Sequence, residues 1–277
     1  MLIFPQAKIN LGLNIVERRP DGYHNLETVF YPVPLCDAIE VMPMEQGFPS
    51  KADCDLKVSG ISVEGDEQNN LVVRAYRLLK NEFPQLPRLH IHLHKAIPTQ
   101  AGMGGGSSDA AAMLVLLNRH FQLGLSEQQL IDRAAQLGAD CPFFVMAVPA
   151  YAEGIGERLQ PLSLSLKGWW LSIVKPPVSV STREAFARIT PQHPDACCRE
   201  IVSLPVEQWQ NRLVNDFEAS VFAQHPQIGQ VKEQLLRLGA VYSAMSGSGS
   251  AVFGLFRQQL DVQQHFPEMF SAIIQLS

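Results

Sequence analysis

The segment IPTQAGMGGGSSDAA, residues 97–111, places a glycine-rich loop between a predicted strand and a predicted helix. Glycine permits backbone angles closed to other residues and lets a ligand approach the main chain closely. The N–H groups of such a loop, together with the N-terminus of the following helix, form a cradle for an anion. A flexible linker is not expected between two regular elements. The segment therefore predicts a phosphate site built on Gly102, Gly104, Gly105 and Gly106.

The loop does not match the common nucleotide fingerprints. It lacks the Gly-Lys-Ser/Thr ending of a Walker A loop and the G-x-G-x-x-G spacing of a dinucleotide motif. Ser107 or Ser108 is the predicted N-cap of the helix, and either hydroxyl could donate to phosphate or bind magnesium. Asp109 is expected in the first helical turn, where the helix dipole favours an acid.

The elements around this segment indicate an α+β fold. Alternating apolar residues predict strands over residues 9–15 and 89–93, and helical spacing predicts a helix over residues 70–81 with Asn69 or Asn70 as N-cap. Strands come first and helices are interleaved without a βαβ rhythm, which is typical of α+β proteins. Further expected elements are a capped helix from Ser126 through Leu137, strands 169–174, 241–245 and 251–255, and helices 182–189, 209–222 and 228–238.

Composition narrows the class of protein. The chain has 277 residues, and a change of composition after Gly154 predicts domains over residues 1–154 and 155–277. A net charge of −5 without a basic cluster argues against a nucleic-acid partner. The longest apolar run, residues 110–117, is far shorter than the roughly 20 residues that cross a bilayer. With no signal-peptide pattern and five irregularly spaced cysteines, we expect a cytoplasmic protein with reduced thiols and no membrane partner.

Two other segments carry candidate functional groups. Lys8 and Asn10 are two residues apart on the first predicted strand, so both side chains leave the same face, which is typically solvated. An Asp-Gly turn signal precedes Tyr23 and His24, which are expected on a mobile connection. Asp140 stands among apolar residues, where an acid is costly unless paired. It is therefore expected to be either a helix N-cap or a catalytic group.

Five motifs in this order resemble the GHMP small-molecule kinases. They are AKINL at residues 7–11, DGYH at 21–24, the glycine-rich segment at 97–111, GADCPFF at 138–144 and MSGSGSAVF at 245–253. The resemblance runs nearly from end to end. Gln6 departs from the Pro-Ala-Lys that is usual in the family, but the strand register after it is intact. The resemblance implies a two-domain α+β kinase with a deep cleft, a ribosomal S5 domain 2-like N-terminal domain and a ferredoxin-like C-terminal domain.

The resemblance also implies a site. ATP and Mg²⁺ are the implied cofactors, with Asp140 taking the proton of the accepting hydroxyl and Lys8 holding that acid ionised and oriented. The DGYH motif narrows the resemblance to kinases acting on a small cytidyl diphosphate substrate, in a monomer or weak dimer. The implied substrate contacts are Asn10, Tyr23, His24, Asp140, Thr182 and Phe186. The implied nucleotide contacts are Asn70, Leu71, Lys95 and Pro98, the loop glycines Gly102, Gly104, Gly105 and Gly106, and Ser107 and Ser108.

Several alternatives remain open at this point. Another GHMP kinase, acting on homoserine, mevalonate or a sugar, would share most of the motifs, and so would a nucleotide-binding module without activity. His90, His92 and His94 alternate along one strand with a spacing that could bind zinc, although such a row is more typical of a solvent-facing strand. The Gly-x-Gly-Glu sequence at residues 154–157 favours a hairpin turn over a magnesium ligand. The small-residue turn at 246–250 is expected to pack near substrate or the glycine-rich loop.

Overall fold

The computed structural model describes residues 1–45, 47–50, 52–63 and 65–277, and its architecture is α+β. The strands are β1 (Leu2–Ile3), β2 (Gln6–Arg18), β3 (His24–Cys36), β4 (Ala38–Pro43), β5 (Cys54–Gly60), β6 (Leu89–Lys95), β7 (Ala150–Gly154), β8 (Arg158–Pro161), β9 (Trp170–Lys175), β10 (Tyr242–Met245), β11 (Val252–Phe256) and β12 (Phe270–Gln275). The α-helices are α1 (Leu71–Glu82), α2 (Gly105–His120), α3 (Glu127–Leu137), α4 (Cys141–Met146), α5 (Thr182–Phe186), α6 (Cys198–Ile201), α7 (Phe217–Gln224) and α8 (Pro226–Arg237). Short 3₁₀ turns occupy Glu67–Asn69, Val206–Gln208 and Val262–Gln264.

The chain divides into two compact units. Unit 1 comprises Met1–Ala7, Leu35–Thr99 and Gly104–Ala147, and unit 2 comprises Lys8–Pro34, Gln100–Met103 and Val148–Ser277. The division into domains at residue 154 stays a prediction, but these contact units are discontinuous and assign most of β2 and β3 to unit 2. The difference is physical, because strand pairing joins β3 to β7, so early and late residues share one sheet.

Unit 1 is a sheet packed against helices. The sheet has the order β1-β4-β6-β5, with β5 and β6 parallel and the other pairs antiparallel. Helix α1 begins where predicted, because the Asn70 side chain accepts a hydrogen bond from the Val72 N–H at 2.9 Å. The predicted capping box of Ser126 and Gln129 is also present at the start of α3. A buried apolar cluster joins Ile39, Val41, Tyr76, Leu79, Ile91, Leu93, Met113, Leu114 and Leu117.

Unit 2 contains the remaining sheets, β2-β3-β7-β8 and β10-β11-β9-β12. In the second of these every neighbouring pair is antiparallel. Counted from β9, the strands lie in the order fourth, first, third, second, which is the ferredoxin-like arrangement expected for this half of the chain. Its core includes Ile15, Val174, Val221, Ile228, Val231, Leu235 and Val252.

Strand β2 corrects one expectation. It is buried on both faces from Ala7 to Leu13, so the prediction of a solvated polar face is wrong. The polar side chains avoid the cost of burial by forming hydrogen bonds: Asn10 Nδ2 donates to Thr28 Oγ1 at 2.9 Å, and Asn14 Nδ2 donates to Glu27 Oε1 at 2.8 Å.

The predicted helix over residues 209–222 is also wrong, because α7 begins only at Phe217. The side chain of Asn215 donates to the backbone carbonyls of Met245 and Gly247, both at 2.8 Å, and accepts from the Phe217 N–H. The carboxylate of Asp216 accepts from the Ile15 N–H at 2.7 Å. These long-range bonds hold the residues before Phe217 in a turn, although the spacing of their apolar side chains is helical.

Candidate active site

A cavity of about 280 Å³ lies in unit 1 beside the first turn of α2. Five of its lining side chains are aliphatic and seven are polar or charged, a combination that suits a small molecule with both apolar and polar parts. Of the predicted nucleotide contacts, the cavity brings together Asn70, Leu71, Lys95 and Gly106. The other lining residues are Leu56, Val58, Val63, Gly65, Asp66, Glu67, Asn69, Leu93, Thr99 and Asp109.

Helix α2 starts earlier than the sequence predicts. Its N-cap is Gly104, which has φ +69° and carries no side chain to cap the helix, so the prediction of a serine N-cap is wrong. Gly105, Gly106 and Ser107 therefore form the first turn, and their N–H groups point out of the helix end, where an anion is favoured. Ser108 is buried, and its hydroxyl donates to the carbonyl of Gln6 at 2.7 Å.

The glycines of the loop differ in backbone conformation and in the space around them. Gly102 and Gly104 have positive φ angles, +72° and +69°, as the phosphate-cradle hypothesis expects. Gly105 is helical, and a Cβ placed on it would lie 3.0 Å from Ile97 Cγ2 and 3.3 Å from Lys95 Nζ. Gly106 has open space, because its Cβ would meet only Leu71 Cδ1 at 3.7 Å. Pro98 is buried in the connection from β6 but does not line the cavity.

A buried charge cluster lies at the cavity wall. The Lys95 ammonium bonds Asp37 and Asp109, the latter at 2.6 Å, and all three side chains are at most 3% exposed. Asp37 Oδ1 also accepts from the N–H groups of Ala96 and Ile97 at 2.6 and 2.8 Å. Asp109 lies beyond the first turn, contrary to prediction, because α2 already begins at Gly105. Its carboxylate is held by Lys95 instead of by the helix N-terminus.

The two carboxylates of this cluster face a single ammonium. Burial is the main cause that raises the pKa of Asp109 to about 7; Lys95 opposes this rise and Asp37 adds to it. Asp109 Oδ1 receives no hydrogen bond from any residue that the structure describes. A side-chain hydrogen bond with Asp37 is a further cause of the raised pKa of Asp109.

A second group of predicted site residues meets in unit 2. Lys8 Nζ donates to Asn10 Oδ1 at 2.5 Å and to the carbonyl of Gly102 at 2.9 Å. The Ser246 hydroxyl donates to the same carbonyl at 2.9 Å, and it accepts from the Asn10 N–H at 3.3 Å. The small-residue turn therefore packs on the glycine-rich loop, as expected. Lys8 is 3% exposed, so its ammonium is held in a dry, oriented position.

Asp140 occupies the N-cap position of the short helix α4, within unit 1. Its carboxylate makes no capping hydrogen bond, since its backbone is already helical (φ −81°, ψ −16°). The side chain is half-buried. Of the two roles left open by the sequence, a side-chain cap is therefore excluded.

The predicted cytidine contacts also lie in unit 2. The rings of His24 and Phe186 stack, with centroids 4.7 Å apart and an interplanar angle of 20°. Burial, followed by the nearby Arg18, lowers the pKa of His24, so the imidazole is neutral at physiological pH. Tyr23 is 62% exposed, and Thr182 is exposed at the first position of α5. Aromatic faces and a neutral imidazole edge are suited to a nucleobase.

Other candidate groups have structural partners. His90 bonds Asp55, while His92 and His94 share the Ser59 hydroxyl. Across the described ranges, no group of three or more His, Cys, Asp or Glu side chains is placed to hold a metal ion. Residues 154–157 form the β7–β8 hairpin as expected, with the Glu157 carboxylate accepting from the Ile155 N–H at 2.6 Å.

Sequence reasoning missed Asp37 and the role of Asp109. Asp37 belongs to no recognisable motif. It lies just before β4, far along the chain from its partner Lys95 at the end of β6. A signal existed for Asp109, since an acid inside an otherwise apolar helix requires a partner.

Models of known families match two stretches of the chain. The GHMP kinases N terminal domain matches residues 70–147, and the GHMP kinases C terminal domain matches residues 206–272. None of the helices in the described part of the chain has the length and apolar character of a membrane span.

Proteins named 4-diphosphocytidyl-2-C-methyl-D-erythritol kinase are similar over nearly the whole length. The one from Bacteroides thetaiotaomicron is 56% identical over 94% of this chain and 93% of its own. The one from Parabacteroides distasonis is 48% identical over 97% and 94%. A crystal structure of 4-(cytidine 5'-diphospho)-2C-methyl-D-erythritol kinase superposes with a TM-score of 0.79 at 34% identity, over 92% of this chain and 90% of that one. The mevalonate kinase of Methanococcus jannaschii shares the fold, with a TM-score of 0.71 at 12% identity over 100% and 98%.

Proposed function

Because the chain belongs to the 4-diphosphocytidyl-2-C-methyl-D-erythritol kinase family of the GHMP kinases, we propose that it transfers the terminal phosphoryl group of ATP to the 2-hydroxyl of 4-diphosphocytidyl-2-C-methyl-D-erythritol. This reaction belongs to the non-mevalonate route to isoprenoid precursors. The observation that carries the proposal is the stacked pair of His24 and Phe186 beside the exposed Tyr23. A kinase for a plain alcohol has no need of such a surface.

The cytosine is proposed to bind this aromatic group. Stacking a base on an aromatic ring contributes about 1–3 kcal/mol and is indifferent to which base it is. Selection of cytosine therefore requires edge contacts, and the imidazole of His24 can both donate and accept there. Thr182 is assigned to the substrate as well, since its exposed hydroxyl stands in the same helix as Phe186.

ATP is proposed to occupy the cavity beside α2. Its apolar wall, which includes Leu71, suits the flat base, and the N–H groups of Gly105, Gly106 and Ser107 suit the phosphates. The side-chain oxygen of Asn70 accepts the hydrogen bond that caps α1, so its NH₂ group can donate to the nucleotide. Mg²⁺ typically keeps phosphate and water ligands, so it requires few ligands from the protein. Bound Mg²⁺ would neutralise charge on the transferred phosphoryl group, with the Ser107 hydroxyl as its protein ligand.

Proton transfer is assigned to Asp140 and charge stabilisation to Lys8. As the hydroxyl oxygen attacks the phosphoryl group, its proton passes to the Asp140 carboxylate, and the ammonium of Lys8 stabilises the negative charge that develops. Lys8 is suited to this because Asn10 and the Gly102 carbonyl fix its position at 2.5 and 2.9 Å. The amide of Asn10 is proposed to position a substrate hydroxyl beside that ammonium.

The test compares acceptors. The purified enzyme is given Mg²⁺-ATP with the cytidyl substrate, homoserine or mevalonate, and the release of ADP is measured. We expect turnover with the cytidyl substrate alone, and turnover at least about a hundredfold slower by the Asp140→Asn variant prepared in parallel. Turnover of homoserine or mevalonate at a comparable rate would assign the enzyme to another branch of the GHMP kinases. No turnover with any acceptor would indicate a nucleotide-binding module.

We also propose where the enzyme acts and in what oligomeric state. Cysteines at positions 36, 54, 141, 197 and 198 are free thiols, which suits the reducing cytoplasm. Action there as a monomer or weak dimer, without a nucleic-acid or membrane partner, remains our prediction. Gel filtration of the purified enzyme at micromolar concentration tests the oligomeric state.

A further inference from the structure

The side-chain amide of Asn10 is bonded at both of its ends. Its Oδ1 accepts from the Lys8 ammonium at 2.5 Å, and its Nδ2 donates to the hydroxyl of Thr28 at 2.9 Å. Thr28 lies on β3 and is 0% exposed, so its side chain has no free surface to offer a ligand. The mechanism proposed above gives roles to Lys8 and Asn10 and none to Thr28.

The hydroxyl of Thr28 can only accept from Asn10. A hydroxyl carries one proton, and that of Thr28 is donated to the carbonyl of Gly12 at 2.5 Å. The amide of Asn10 must therefore turn its NH₂ group toward Thr28. This orientation leaves the amide oxygen for the ammonium of Lys8, which can only donate.

The pairing of β2 with β3 brings these groups together. Lys8 and Asn10 are two positions apart on β2, and Thr28 and Phe30 are two positions apart on β3, so each pair shares one face of its strand. Lys8 Nζ lies 5.0 Å from the centre of the Phe30 ring, while Asn10 bonds Thr28. The contact between Thr28 and Asn10 is thus held by neighbouring strands rather than by a loop.

Loss of the Thr28 hydroxyl would take away the acceptor of a buried NH₂ group, which is costly. If the amide of Asn10 turned to find another acceptor, its NH₂ group would face the ammonium of Lys8 and its oxygen would no longer accept from it. We propose that Thr28 is a positioning residue for phosphoryl transfer, whose hydroxyl sets the orientation of the Asn10 amide and through it the place of the Lys8 ammonium. The inference rests on the function proposed above, in which that ammonium stabilises the developing charge.

Thr28→Val tests the inference, because valine has nearly the shape of threonine but no hydroxyl. Steady-state kinetics with Mg²⁺-ATP and the cytidyl substrate give kcat and both KM values. The Gly102 carbonyl still holds Lys8 at 2.9 Å, so we expect kcat to fall by about tenfold to a hundredfold, the scale of a misplaced catalytic group. The KM for ATP should stay within about twofold, because the change acts on the transferring step. Thr28→Ser keeps the hydroxyl and should keep kcat within about threefold of the unmodified enzyme.

Ser243→Ala is the matched control. Ser243 is also 0% exposed in unit 2, and its hydroxyl donates to the carbonyl of Phe253 at 2.8 Å, away from Lys8 and Asn10. The control should lower the unfolding midpoint and leave kcat unchanged. An unchanged kcat in Thr28→Val would overturn the inference. An equal fall of kcat in Thr28→Ser or in Ser243→Ala would also overturn it, because loss of the Thr28 hydroxyl would then not be the cause.

A double variant shows whether Thr28 acts through Asn10. Once Asn10→Ala has removed the amide, adding Thr28→Val should lower kcat no further, since residues acting through one contact are not additive. If the two losses multiplied instead, Thr28 would act independently of Asn10 and the inference would be wrong. If Thr28→Val did not fold, Thr28→Ala removes the same hydroxyl and is judged by the same criteria.

Failure of the proposed function can be recognised separately. If the unmodified enzyme phosphorylated homoserine or mevalonate instead, the substrate assignment would fail, and the Thr28 variants would be judged with that acceptor. If it phosphorylated no acceptor, the proposed function and the inference would fail together. If it phosphorylated the cytidyl substrate and Thr28→Val matched it in kcat, only the inference about Thr28 would fail.

Discussion

Substitution of Gly102 by alanine tests how tightly the glycine-rich loop is fitted to the turn at Ser246. An added Cβ would lie 1.8 Å from the Ser246 carbonyl oxygen and 2.7 Å from its carbon, and both belong to the backbone. Ordinary van der Waals contact begins near 3.4 Å, so the loop or the turn must move by more than an ångström. Gly102 also has φ +72°, which costs an alanine about 1–2 kcal/mol.

Such a movement breaks hydrogen bonds that can be named. The Gly102 carbonyl accepts from the Ser246 hydroxyl and from the Lys8 ammonium, each at 2.9 Å. A neutral bond of this kind contributes about 1 kcal/mol, and one from a charged donor about 1.5–3 kcal/mol. We therefore expect Gly102→Ala to lower the free energy of unfolding by about 3.5–6 kcal/mol, the sum of backbone strain and both bonds.

Urea denaturation followed by circular dichroism measures this loss, with Gly124→Ala as the control. Gly124 has φ +74°, nearly the same angle, but nothing lies within 4 Å of its added Cβ. The control should lose only the backbone strain, about 1–2 kcal/mol. Equal destabilisation of the two variants would refute the reasoning, because it would mean that the contact with Ser246 does not constrain the loop.

The remaining predictions concern single side chains. Asp140→Asn should preserve folding and ATP affinity in calorimetry while lowering kcat at least about a hundredfold; a near-normal kcat would reassign Asp140 to positioning. His24→Ala should raise the KM for the cytidyl substrate and weaken the enzyme's preference for that substrate over a uridyl analogue. If it raised the KM for ATP instead, the DGYH motif would belong to the nucleotide site. Burial raises the folded-state pKa of Asp109 to about 7, above the ordinary value of 3.8, so the folded protein binds the extra proton. As the pH rises from 5 to 7, the free energy of unfolding should therefore fall by up to about 1.4 kcal/mol per pH unit. Urea titrations at pH 5 and pH 7 measure this fall, which should be absent from Asp109→Asn.

The elements that the sequence predicts well are those with a local signal. The N-cap of α1 at Asn70 and the capping box of Ser126 and Gln129 were both correct, because these side chains bond backbone groups only two or three residues away. The stretch preceding Phe217 was predicted to be helical from its spacing alone. Its conformation is decided by bonds from Asn215 to the carbonyls of residues some 30 positions later, and no local pattern contains that information.

The candidate site shows the same limit. Family motifs point to Lys8, Asn10 and the glycine-rich loop, and the structure shows that the first two bond each other and that Lys8 bonds the loop. The partnership of Asp37 with Lys95 joins residues 58 positions apart, and it depends on how β3, β4 and β6 assemble. Burial of the polar face of β2 was missed for a related reason, since strand alternation shows which residues share a face but not whether that face is covered.

The glycine-rich segment was predicted as one phosphate cradle, yet its glycines are needed for separate reasons. Gly102 meets the backbone of Ser246, Gly105 approaches Lys95 Nζ, which is the far end of a flexible side chain, and Gly106 faces open space. An added methyl group should therefore damage folding most at Gly102 and least at Gly106. Its effect on ATP binding should run differently, because only Gly106 lines the cavity. Gly106 is thus the glycine that the ligand requires and the fold does not, whereas Gly102 is required by packing against Ser246.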